Sequence, residues 1–202
     1  MSRVRRHGKL FILSSPSGGG KTTAVAELLR QIPGLSRSIS VTTRPARLAE
    51  RNGADYRFVS REAFQRLQVR GQLLEWARVH DAYYGTPRAP VRRALAKGRG
   101  VILSLDVQGA RRLRGRFGSR AVLIFLAPPS LRDLKARLTK RRTESPEAIR
   151  KRLEVARQEL ACAERYDYVI VNRRLHQAVE QLKAIIIAEG VRVEGSRGEE
   201  RT

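Results

Sequence analysis

The 202-residue sequence has a single cysteine, Cys162. This excludes a disulfide framework and any cysteine-built metal site, so a reducing cytoplasm is the expected setting. Long apolar runs are missing too: no stretch approaches the roughly 18 residues that a membrane-spanning helix needs. The basic opening, residues 1–8, leads into an apolar block of only Leu10 to Leu13. That block is too short for the core of a secretion signal, and no small-residue cleavage site follows it. Aromatic side chains make up 5% of the chain, and no RRM-like or KH-like pattern arranges them. A base-stacking RNA module is therefore not expected. His7, His80 and His176 fall in no catalytic or metal-binding pattern and read as surface residues. Acidic residues are scarce, with 19 Asp and Glu against 42 Lys and Arg and a net charge of +23. Such an excess attracts polyanions: nucleic acid, an anionic membrane or phosphorylated small molecules. Most of it reads as solvated surface, so the arginines that matter are those beside motifs.

What the chain does contain is a rhythm of strand and helix. Four short runs are apolar at successive positions: Leu10 to Leu13, Val101 to Leu105, Ala121 to Leu126 and Tyr168 to Val171. Continuous rather than alternating apolarity predicts strands of a parallel sheet covered on both faces. Helical spacing predicts helices at Lys21 to Gln31 and along Leu131, Leu134 and Leu138, the latter opened by a Ser130–Asp133 capping box. It predicts others along Ile149, Leu153, Ala156 and Leu160, started by Ser145–Pro146, and along Leu175, Val179, Leu182 and Ile186. The expected fold is α/β: a mostly parallel sheet flanked by helices that, with the glycine-rich SSPSGGGKTT (Ser14 to Thr23) after its first strand, is P-loop NTPase-like. The stretch 36–90 differs, with turn signals at Asn52–Gly53 and Tyr84–Gly85 and a helical pattern at Ser60 to Arg70. It reads as a small mixed α+β insertion. The core is expected over about 9–35, 91–138 and 164–189, a helical lid over about 139–163, and a flexible tail over 190–202, all in one domain.

The first chemical motif is Ser14 to Thr23, SSPSGGGKTT, standing between an apolar strand and an amphipathic helix. That is the context a phosphate-binding P-loop requires. Ser15, Pro16, Ser17, Gly18, Gly19 and Gly20 form the loop; the glycines let backbone N–H groups wrap a phosphate, and the helix N-terminus adds its dipole. Lys21 can reach the β- and γ-phosphates of ATP, and the Thr22 hydroxyl can ligate Mg²⁺, with Thr23 beside it. Further motifs follow in order: Ser40-Val-Thr-Thr-Arg44-Pro-Ala-Arg47 with Glu50, Gly53, Asp55 and Tyr56; Leu74-Glu75-Trp76-Ala77 with Tyr84, Gly85 and Thr86; Ser104-Leu-Asp106-Val-Gln-Gly109; Arg141-Arg-Thr-Glu144 with Arg152; and Val169-Ile-Val-Asn172. Two arginine forks three apart, with serine and tyrosine hydroxyls, suit a phosphate dianion. A carboxylate such as Glu75 suits a partner that presents two donors on one edge.

Along roughly Lys9 to Glu189, these motifs resemble those of guanylate kinases, which often carry S-x-P-S-G-x-G-K-[ST] at the loop. The resemblance implies an ATP:GMP phosphotransferase, also active on dGMP, that uses Mg²⁺ and serves purine nucleotide metabolism. It implies that Ser40, Arg44, Arg47, Tyr56 and Tyr84 hold the phosphate of GMP, and that Glu75 and Thr86 read its base. Asp106 matches the strand-end acid near the P-loop and its metal, Arg141 and Arg152 match lid arginines that close over the phosphates, and Asn172 lies on the strand near the adenine. With Lys21 and Arg44, the two lid arginines make up the implied catalytic set. The chain departs from the family pattern in three places. Ser104 stands where the family places an acid that helps bind guanine, so weaker GMP binding or looser base choice is expected. Arg142 replaces a lid glycine, and Arg173–Arg174 replace an acidic pair. The rival readings are a superfamily relative acting on a ribose bisphosphate, a non-catalytic kinase-like binding module and an RNA-binding protein. Lys21, Arg44 and Arg47 speak against the module. ATP and GMP are the expected partners, with no obligatory nucleic acid and no membrane, as a monomer or a homo-oligomer.

Overall fold

The computed structural model describes residues 8–48, 50–79, 81–140 and 145–191. In chain order the elements are β1 (Leu10–Ser14), α1 (Lys21–Gln31), β2 (Ser36–Arg37), β3 (Val41–Thr42), β4 (Arg57–Phe58), α2 (Arg61–Val69), β5 (Leu73–Val79) and β6 (Ala82–Pro87). Then come α3 (Arg88–Ala96), β7 (Val101–Ser104), α4 (Val107–Phe117), β8 (Ala121–Ala127), α5 (Leu131–Lys140), α6 (Pro146–Ala161), β9 (Tyr168–Val171) and α7 (Leu175–Val191). Five strands form a sheet in the order β2-β7-β1-β8-β9, and every neighbouring pair is parallel. Four more form a second, mixed sheet, β4-β3-β6-β5.

The unbroken apolarity of β1 has a simple cause. Phe11 and Leu13 point into one cluster with Val25 and Leu28 of α1 and Val179 and Leu182 of α7. Leu10 and Ile12 point the other way, into a cluster with Val91 of α3 and Leu113 of α4. A strand covered on both faces needs apolar residues at every position. A third cluster, with Leu134, Leu138, Ile149 and Ala156, joins α5 to α6, and a fourth, with Val41, Phe64 and Leu73, lies under the mixed sheet.

The four short apolar runs and the helices at α1, α2, α5, α6 and α7 stand where the pattern places them. Ser60 and Ser145 cap α2 and α6, accepting from the Ala63 and Ala148 N–H groups, and Ser130 Oγ accepts from Asp133 N–H at 3.0 Å. Helices α3 and α4 are additions. Their arginine-rich sequences bury only Val91 on α3 and Gly109, Ala110 and Leu113 on α4, too few apolar positions to show a period. Strand β2, the first two residues of the stretch expected to be inserted, joins the parallel sheet beside β7.

Candidate active site

The loop after β1 turns back over the start of α1. Its positive φ angles fall on Gly18 (90°) and Gly20 (99°), where glycine carries no steric penalty. Gly19 is required for another reason: a Cβ there would lie 1.9 Å from Ser15 Oγ. The Ser15 hydroxyl, which donates to Pro16 O at 3.2 Å, fills the space a side chain would take. Lys21 Nζ donates to Ser15 O at 3.1 Å and to Leu105 O at 3.3 Å, bridging the loop and the end of β7. Burial pushes its pKa down, while the charges of Glu159 and Asp106 oppose that shift.

Two neighbours brace the loop. Asn172, only 4% exposed, donates from Nδ2 to Gly19 O at 2.9 Å. This residue, expected on the adenine side, therefore has its side-chain amide turned onto the loop backbone. On α6, Arg152 Nη1 reaches Ser17 Oγ at 2.9 Å. Arg141, with 142–144, lies outside the described residues. Thr22 and Thr23 open α1 and are exposed on the cleft wall.

Facing the loop across a cleft of about 300 Å³ is the mixed sheet. Arg44 forms a two-pronged ion pair with Glu50, Nη1 to Oε2 at 2.7 Å and Nη2 to Oε1 at 2.6 Å, and Nη1 also donates to Pro45 O. Its guanidinium lies over the rings of Tyr56 (5.1 Å) and Phe58 (5.6 Å). Tyr84 packs edge-on to Tyr56 at 6.1 Å. Ser40 and Arg47 line the same end, and Arg47 donates its backbone N–H to Glu50 at 2.9 Å. The Arg44 hydrogen bonds hold the Glu50 carboxyl below its usual range.

Glu75, 7% exposed on β5, accepts a 2.6 Å hydrogen bond from the Thr86 hydroxyl of β6. Burial pushes its pKa up to about 7; Thr86 pulls it down and the charge of Asp106 pushes it further up. Ser104 and Asp106, at the end of β7, complete this wall. Asp106 also caps α4, accepting from Gly109 N–H at 2.8 Å. Thr86 itself is fully buried behind Glu75.

The expected loop residues and the acceptor-side residues Ser40, Arg44, Arg47, Tyr56, Glu75, Tyr84, Ser104 and Asp106 thus share one cleft. Four further residues on its wall had no place in the sequence reading: Arg37, Val79, Val155 and Glu159. Glu159 stands seven positions after Arg152, on the same face of α6, so helical spacing could have found it. Arg37, in a two-residue strand, carried no such signal; its Nη2 donates to Asp55 O at 2.8 Å.

A family model for guanylate kinase matches residues 7–189. The chain belongs to the guanylate kinase family. It is 47% identical over 197 residues to a guanylate kinase of Rhodopseudomonas palustris, covering 98% of this chain and 90% of that one. It is 48% identical over 189 residues to a guanylate kinase of Desulfitobacterium hafniense, covering 94% of each. The crystal structure of guanylate kinase from Anaplasma phagocytophilum superposes with a TM-score of 0.80 at 36% identity, covering 93% of this chain and 88% of that one. At position 104 serine leaves Glu75 and Asp106 as the carboxylates on the wall of β5 and β7.

Proposed function

We propose that the protein transfers the γ-phosphoryl group of ATP to GMP, or dGMP, giving ADP and GDP or dGDP. The observation that carries this reading is the two-ended cleft, with a P-loop lysine and helix N-terminus at one end and Arg44, Arg47, Tyr56 and Glu75 at the other. In this reading, the loop's N–H groups and Lys21 cradle the donor phosphates. Arg44 presents the GMP phosphate with the guanidinium edge that Glu50 leaves over, and Ser40, Arg47, Tyr56 and Tyr84 take the remaining oxygens. Ionised Glu75, held by Thr86, accepts from the two donors of the guanine edge. Arg152, and Arg141 with it, close over the phosphates. The acceptor is already an anionic oxygen, so positioning and charge neutralisation supply the catalysis and no general base is needed.

A magnesium ion fits this site through its oxygen chemistry. No cluster of three or more His, Cys, Asp or Glu side chains that could cage a metal is found among the described residues. The exposed Thr22 hydroxyl on the cleft wall would share the ion with the nucleotide's own phosphates, the usual arrangement for magnesium. When bound, the ion neutralises charge on the transferring group. Among the described residues no helix is long and apolar enough to cross a membrane.

A coupled ADP-release assay with MgATP and, separately, GMP, dGMP, AMP, UMP and ribose 1,5-bisphosphate tests the proposal. Turnover confined to GMP and dGMP is expected. Turnover with the sugar bisphosphate would move the reading to the rival that Ser104 favours, and no turnover at all would leave a binding module.

A further inference from the structure

The two faces of the parallel sheet carry different charge. On one face, α1 and α7 mix signs: Lys21, Glu27 and Arg30, then Glu180, Lys183 and Glu189. On the other, α3 carries Arg88, Arg92 and Arg93, and α4 carries Arg111, Arg112, Arg114 and Arg116, with no Asp or Glu in either helix. A uniform bias toward arginine would load both faces alike. Both helices bury their apolar sides in the same cluster, α3 through Val91 and α4 through Ala110 and Leu113, so their outer sides belong to one face of the molecule.

Part of this charge is spent inside the protein. Arg88 donates to Leu73 O, Arg112 to Trp76 O and Arg116 to Leu74 O, and Arg114 pairs with Asp167. On the helices Arg92, Arg93 and Arg111 remain, joined by Lys97, Arg99 and Arg120 just beyond the C-terminal ends of α3 and α4. All are exposed, and none has a side-chain partner among the described residues. Such a concentration of one sign is self-repelling and gains from an external anion.

The surroundings indicate which anion. The large exposed apolar side chains, Leu48, Val69, Trp76 and Ile187 among them, all lie off α3 and α4. The face offers no apolar wedge to a bilayer and no anchor to a protein partner. Trp76, the exposed ring beside α4, lies under the Arg112 guanidinium at 5.7 Å, which occupies the place a stacked base would take. What the face presents is a row of guanidinium donors, which suit a regular array of phosphates. We propose that the α3–α4 face docks the phosphate backbone of double-stranded nucleic acid, sequence-independently and apart from the kinase cleft.

The test is fluorescence anisotropy of the intact protein with mixed-sequence RNA and DNA duplexes two helical turns long, titrated over about 50 to 200 mM salt. Binding by the wild type is expected, with a log–log salt slope of about −0.9 for each phosphate engaged. Combining Arg92→Glu, Arg93→Glu, Lys97→Glu and Arg111→Glu should weaken binding by about 100-fold or more at low salt and flatten the slope. Arg66→Glu, Arg70→Glu, Arg132→Glu and Lys135→Glu together change the net charge equally at other exposed sites, and should cost less than about tenfold. Both variants should retain kinase turnover, which reports folding. If the Glu set fails to fold, Arg92→Gln, Arg93→Gln, Lys97→Gln and Arg111→Gln give the same comparison with a smaller loss. A preference for either duplex names the source of the backbone. Equal loss in the two charge-reversed variants would overturn the proposal in favour of net charge alone. So would binding to phosphatidylserine vesicles but to neither duplex, or no binding at all.

Discussion

Arg44 and Glu50 lock one edge of a guanidinium that is also hydrogen-bonded to Tyr84. Glu50 takes one N–H each from Nη1 and Nη2, and Pro45 O takes the second Nη1–H. The edge that Glu50 does not use has Nε–H beside the second Nη2–H, the geometry a phosphate accepts bidentately. Glu50 therefore orients Arg44. Glu50→Gln should raise the KM for GMP by roughly tenfold to a hundredfold, the size of a lost charged hydrogen bond, with a smaller change in kcat. Steady-state kinetics decide between this and a competing role. If Glu50 instead acts as an internal rival to the GMP phosphate, the same substitution lowers the KM.

Lys9 and Glu189 stand 180 positions apart in sequence, yet form a buried ion pair at 3.1 Å, with side chains 8% and 7% exposed. The Tyr168 hydroxyl donates to the other Glu189 oxygen at 2.7 Å, tying the start of β1, β9 and α7 together. Removing one member leaves a buried charge uncompensated, so Glu189→Ala should cost about 3–5 kcal/mol in urea unfolding. Replacing both, Lys9→Met with Glu189→Leu, should recover most of that, because an apolar pair avoids the desolvation cost.

In the P-loop, Gly19 and Ser15 are coupled through space. Gly19→Ala places a methyl group 1.9 Å from Ser15 Oγ and 3.1 Å from Pro16 O, so the loop must shift. Overpacking of this kind costs roughly 1–3 kcal/mol, and here it should appear as a raised KM for ATP and a lowered kcat. Adding Ser15→Ala removes the worse of the two clashes. The double variant should therefore be more active than Gly19→Ala alone, an inversion that additive effects would not give.

These pairs show where the sequence is readable. Leu10 to Leu13 and Gly18 to Thr22 announce themselves because one strand, buried on both faces, and one phosphate loop each need a contiguous run of particular residues. The packing of the Ser15 hydroxyl against Gly19 leaves no mark in the sequence, because the two meet only once the loop has folded back. Arg37 and Glu159 were silent because a tertiary cleft assembles them from separate elements, a two-residue strand and the far end of α6. Helices α3 and α4 were silent for the opposite reason: their charged positions outnumber the buried ones that would set a period.

Glu75 gives the cleft a pH dependence with a definite sign. Its pKa is raised from 4.5 to about 7, mainly by burial, so in the empty site it is protonated below neutrality. The proposed contact with guanine needs the ionised form, so the KM for GMP should fall as pH rises through about 7 and level off above it. Stability runs the other way: a carboxyl with a raised folded pKa contributes stability fully below its unfolded value and loses it as pH climbs to the folded one. Relative to Glu75→Gln, the wild type should lose roughly 3 kcal/mol across that window. Ser104→Asp then tests the wall directly. A second carboxylate beside Glu75, with Asp106 already near, must push Glu75 higher still, so the acid limb of the KM profile moves to higher pH. Above that limb the added acceptor should lower the KM for GMP about tenfold or more, the size of a charge-assisted contact. Both effects arise from one substitution and have opposite signs at pH 7 and pH 9. A KM unchanged at both would mean that position 104 takes no part in reading the base.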